Sequence, residues 1–181
     1  MASAARSGAY LTAIEYHGER IAELLERMPG RESLATRARG TAIVGRALMA
    51  LDRGRDDELR SLLREACAIA PELHDQPELM AFRIRHHLPT VTDSRSYAVA
   101  CLRCANAWPD GTALMAHWLR AAATLAAIRA RRVGPAIAAL RDWPLAGLRS
   151  CAVRVLLHQP WRLRNAFDDL RAQFVRSGVS G

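Results

Sequence analysis

The densest cluster of reactive side chains in this chain is Cys101-Leu-Arg-Cys104. A Cys-x-x-Cys pair can ligate zinc or cycle between thiol and disulfide. Zinc takes four ligands in a tetrahedral array, and His117, Cys151 and His158 do not complete a familiar spacing around this pair. A redox pair opens a helix that follows a strand, where the dipole lowers a thiol pKa. Here the pair falls inside a helical pattern, so both cysteines read as reduced packing thiols, with no metal and no cofactor.

Arg83, Arg85, His86 and His87 form a local basic cluster. Adjacent helical residues point about 100° apart, so His86 and His87 cannot both face one metal. An Arg fork here suits a phosphate or carboxylate. The plain alternative is a solvated face, with Phe82 and Ile84 partly buried. Asp56-Asp57-Glu58 and Asp168-Asp169 read as helix-cap and surface acids, and the chain holds no Gly-x-Ser-x-Gly, Walker loop or His-Glu-x-x-His. No catalytic residue is assigned, and a non-catalytic role is favoured.

All 26 basic residues are arginine, a usage that points to a GC-rich genome more than to selection at each site. Their distribution carries more information. Residues 1–92 hold 13 Arg against 13 acids, whereas residues 93–181 hold 13 Arg against 5 acids. Arg129, Arg131 and Arg132 close an Ala-rich helix, where cations offset the negative end of its dipole. With Arg162 and Arg164 they extend a basic surface that would attract an acidic partner, anionic lipid or nucleic acid. No nucleic-acid motif accompanies it, so nucleic acid ranks last. Near the end of the chain Trp161, Phe167 and Phe174 keep helical spacing among arginines, which suits a capping helix, or a contact with a membrane or partner.

The elements that would position these residues are helices. Half of the 181 residues are apolar and only 6% aromatic, a composition that favours close helix packing over strands. Leu59, Leu62, Leu63, Ala66 and Ala70 recur on one side of a helix behind the turn at Gly54, and Ala47, Ala50 and Leu51 give the preceding helix an apolar side. Leu11, Ile14, Gly18, Ile21, Leu25 and Met28 step as a heptad-like seam, with Glu15, Glu19, Glu23 and Glu26 away from it. Such a helix would cap a bundle or form a homodimer seam. Pro77 opens a helix that stops before Pro89, Asp93 or Ser94 caps the next, and a further helix runs from Thr112 to Arg132 before a break at Gly134-Pro135.

The expected architecture is all-α, with about nine helices in one domain: an N-terminal helix at 1–30, a helical hairpin at 34–71, degenerate hairpins at 76–109 and 112–144, and a capping pair at 145–178. No apolar run approaches the ~18 residues of a membrane span, and no signal-peptide h-region is visible at the start. The expected location is cytoplasmic, or peripheral at the inner membrane.

Aligning helices on Pro71, Pro109 and Pro144 brings Ala66, Cys104 and Ala139 together five positions before the proline. The same alignment places Leu63, Cys101 and Ala136 eight before, and Ala70, Trp108 and Trp143 one before. This pattern resembles the tetratricopeptide class of helical repeat. Residues 40–71 match it best, with Ala47, Ala66 and Pro71 in place but Leu59 where a small residue is usual. The stretch LMALDRGRDDELRSLLREACAIAP, with the basic Trp-containing end, also resembles the helical C-terminal extension of bacterial family-two glycosyltransferases, without a strand-rich catalytic domain or an Asp-x-Asp motif. The first resemblance implies a module that binds another protein through a concave groove. The second implies an accessory segment of a glycosyltransferase system, held at an anionic membrane by its basic half.

Overall fold

The computed structural model describes residues 2–72, 77–111 and 113–141. Over these residues the chain is all-helical: α1 Ala2–Glu26, α2 Glu32–Asp52, α3 Asp56–Ile69, α4 Pro77–His87, α5 Ser94–Ala107, α6 Leu114–Arg129 and α7 Val133–Arg141. The helices expected after Arg141 lie outside the described residues. No described helix is long and apolar enough to cross a membrane. The residues form two compact units, one holding α1 to α4 and the other α6, α7 and α5 as far as Asn106.

In the first unit α1 and α2 run antiparallel and close together because small residues face each other. A Cβ on Gly18 would lie 3.0 Å from Ala42 Cβ, and one on Gly45 would lie 3.5 Å from Ile14 Cγ2. The seam on α1 is therefore Leu11, Gly18 and Ala22, all buried, with Leu25 half-buried. This corrects the heptad reading. Because the backbones meet at glycine and alanine, Ala22 rather than Ile21 faces α2, and Ile21 and Met28 turn outward. Glu15, Glu19 and Glu26 border the seam, where Glu26 pairs with Arg39 at 2.6 Å and Arg46 sits 3.8 Å from both Glu15 and Glu19.

The α2–α3 hairpin forms as its sequence implies. Gly54 takes φ +78, Gly54 N–H donates to Leu51 O and Arg55 N–H donates to Ala50 O, which together close the helix as a Schellman motif. Asp56, Asp57 and Glu58 occupy the first turn of α3, with Arg55 rather than Asp56 at the N-cap. Leu59, Leu63, Ala66 and Ala70 are buried and Leu62 is half-buried. Asp52 then ties the α4–α5 loop to the end of α2, its Oδ1 accepting both Thr90 N–H at 3.0 Å and Thr90 Oγ1–H at 2.6 Å.

In the second unit Asp93 caps α5 in a reciprocal box. Its carboxylate accepts Ser96 N–H at 2.8 Å while Ser96 Oγ accepts Asp93 N–H at 3.0 Å. α6 is buried on every side from Met115 to Ala127. The break before α7 differs from the expected one. Helix α6 ends at Arg129, the left-handed residue is Arg131 at φ 54, and Gly134 and Pro135 lie inside the first turn of α7, where a proline needs no N–H partner. Arg132 N–H donates to Ala127 O and Arg131 N–H to Ile128 O, so this hairpin closes with the same motif as the first.

Candidate interaction surfaces

The outward side of α1 carries exposed apolar side chains. Ile21, Leu24 and Met28 are 48%, 48% and 50% exposed; Ile21 and Leu24 stand about one turn apart on the same side of α1, and Met28 follows in the turn just past its end. Leu34 near the start of α2 is also exposed. Arg20, Arg27 and Arg31 flank the row; Arg20 is paired with Glu23 at 2.8 Å. Arg27 and Arg31 make no ion pair among the described residues.

The basic end of α4 is a second surface. Arg85 and His86 are exposed and Arg83 is half-buried. Ile84 is fully buried as a core residue, but Phe82 is 52% exposed with its ring centroid 4.5 Å from that of His86 and 5.5 Å from that of His87. Leu79, Phe82 and His86 thus make a short row of their own at i, i+3, i+7. Burial, then the charges of His86 and Arg83, lower the His87 pKa, so this histidine stays neutral to a lower pH than a solvated one.

The sequence-derived basic residues of the second unit are divided. Arg129, Arg131 and Arg132 are exposed around one turn. Arg162, Arg164, Trp161, Phe167 and Phe174 lie outside the described residues. Cys101 and Cys104 are fully buried, as is Ala139 at the packing position equivalent to Cys104, and Cys67 is buried in the first unit. Burial pushes the Cys67 thiol up to about 11. Among the described residues no three His, Cys, Asp or Glu side chains gather as a metal site requires.

Sequence reasoning missed two features. The α1 row was absorbed into the heptad seam, although Leu24, outside that seam, signalled a second apolar side. On α6, His117, Arg120 and Thr124 are buried at i, i+3, i+7, with Arg120 only 6% exposed and Thr124 Oγ1 donating to Arg120 O at 2.9 Å. Their signal was the surrounding sequence: a helix apolar around its whole circumference is a buried one, and its few polar residues go in with it. Compared with protein-family models, characterised proteins and solved structures, the chain matches none.

Proposed function

We propose that this protein is a non-catalytic helical-repeat module that docks another protein. The observation carrying this is the α1 row of Ile21, Leu24 and Met28, apolar side chains left in water beside a seam that is otherwise closed. Contiguous exposed apolar surface rimmed by polar residues is characteristic of interaction sites. The recurrence of buried small residues at Ala66, Cys104 and Ala139 supports the tetratricopeptide-like reading of the hairpins. A photo-crosslinking residue placed at position 24 in cells should trap one protein reproducibly, and the same residue at the exposed polar position Asp57 should not. Equal trapping from both positions, or none from position 24, rejects the proposal.

A second reading is favoured by the charge of residues 93–181, with 13 Arg against 5 acids, and by the exposed turn of Arg129, Arg131 and Arg132. It makes the chain an accessory segment of a glycosyltransferase system, peripherally attached to an anionic membrane. Salt-sensitive flotation with phosphatidylglycerol vesicles is expected on that reading; absence of flotation at low salt removes it.

A further inference from the structure

We infer that the α1 row receives an amphipathic helix of another protein whose apolar side is flanked by acidic residues, an inference that rests on the docking function proposed above. The row is short: Ile21 and Leu24 stand about 4.5 Å apart along the helix axis, and Met28 follows in the turn after α1. The i, i+3 spacing of Ile21 and Leu24 is one at which side chains of one helix fill the gaps between those of another. Half-buried Ile14 and Leu25 line its inner edge.

Charge selects the occupant. Three acids of α1 lie on the far flank, where Glu26 is held by Arg39 and Glu15 and Glu19 lie beside Arg46. The near flank carries Arg20, Arg27 and Arg31, with Glu23 engaged by Arg20. An incoming helix therefore meets a net cationic rim, which acidic flanks complement.

A second copy of this chain fits poorly. Two α1 helices related by an antiparallel two-fold through the row set the same flank against itself, placing Arg20 of each copy near Arg27 of the other. A parallel two-fold would need the acidic flank, which α2 already occupies. A membrane surface also fits poorly, because amphipathic membrane helices present a broad continuous apolar face, whereas this row is only three side chains, with the charged Glu23 and Arg27 among them.

The test uses the full chain and two synthetic helical peptides of about 20 residues, identical in an i, i+3, i+7 leucine row and flanked either by Glu or by Lys. In fluorescence anisotropy the Glu-flanked peptide should bind about tenfold more tightly than the Lys-flanked one, an effect that weakens with salt. Arg27→Glu with Arg31→Glu should reverse the preference. Leu24→Ser, at an exposed position, should weaken both peptides with an unchanged circular dichroism spectrum. Equal affinity for both peptides, or binding to neither, overturns the inference. So does a dimer that Leu24→Ser dissociates, or vesicle flotation that Leu24→Ser abolishes. If position 24 still crosslinks a protein in cells while the peptides fail, only the acidic chemistry is lost and the docking function stands.

Discussion

Two residues show how much local conformation can depend on one side chain. Gly54 and Arg131 hold the same left-handed position after helices α2 and α6, at φ +78 and φ 54, with the same pair of backbone bonds behind each. Glycine adopts that conformation freely, whereas an L side chain is strained there. Arg131→Gly should therefore raise stability by about 0.5 kcal/mol, the relief of strain being partly offset by the greater freedom of glycine in the unfolded chain. Arg131→Val should lower it by about 1 kcal/mol. Urea midpoints of the two variants decide the signs. This also explains why one turn was legible and the other was not: glycine marks a left-handed residue in the sequence and arginine does not, so Gly134-Pro135 drew the break towards itself. Asp93 was legible as a cap and carries a pH dependence. Hydrogen bonding from Ser96 N–H, against a smaller opposing desolvation, holds its carboxyl below the ordinary value of 3.8. The cap's contribution is complete above that ordinary value and is lost as pH falls through the lowered one. Asp93→Asn keeps an acceptor for the backbone and should flatten this acid limb of the stability curve, measured as Tm against pH, while leaving Tm at neutral pH within a few degrees.

At the scale of elements, the α1–α2 hairpin depends on how closely two backbones approach. A Cβ on Gly18 would stand 3.0 Å from Ala42 Cβ and 3.2 Å from Ala38 O, whereas one on Gly45 finds only ordinary contacts from 3.5 Å outward. The two glycines should respond oppositely. Gly18→Val should force the helices apart and destabilise by about 1–3 kcal/mol, while Gly45→Ala should stabilise by about 0.5–1 kcal/mol through helix propensity alone. Thermal unfolding of both variants tests the pair, and a stabilising Gly18→Val would mean that the seam is centred elsewhere. The existence and the ends of these helices were readable from proline, glycine and acid placement: α4 starts at Pro77 and α3 is followed closely by Pro71. The buried side of α1 was readable at Leu11, Gly18 and Leu25 but not towards the end of the helix, where Ala22 rather than Ile21 is buried. The small residue prevailed there, since backbone contact along a whole helix outweighs a few larger side chains left outside.

Across the whole molecule, the register shared by Pro71 and Pro109 is matched by burial: Leu63 and Ala66 before the first proline, Cys101 and Cys104 before the second. Small or slender side chains at those positions let neighbouring helices close, and thiols serve as small apolar groups there. A thiol buried for packing should behave differently from one held for chemistry. Cys67 illustrates the size of the effect, because at about pH 8 a thiol raised to about 11 is ionised about a hundredfold less than one at 9.0. In a Cys151→Ser background, alkylation under native conditions should therefore be slow at Cys67, Cys101 and Cys104 alike, and all three should react fully in denaturant. Adding sub-denaturing urea should accelerate each thiol in step with the opening of the unit that buries it, so that mass-resolved labelling of Cys67 reports the first unit and that of Cys101 and Cys104 the second. Rapid native labelling confined to Cys101 or Cys104 would instead mark an activated thiol, and would return that pair to the chemistry its spacing first suggests.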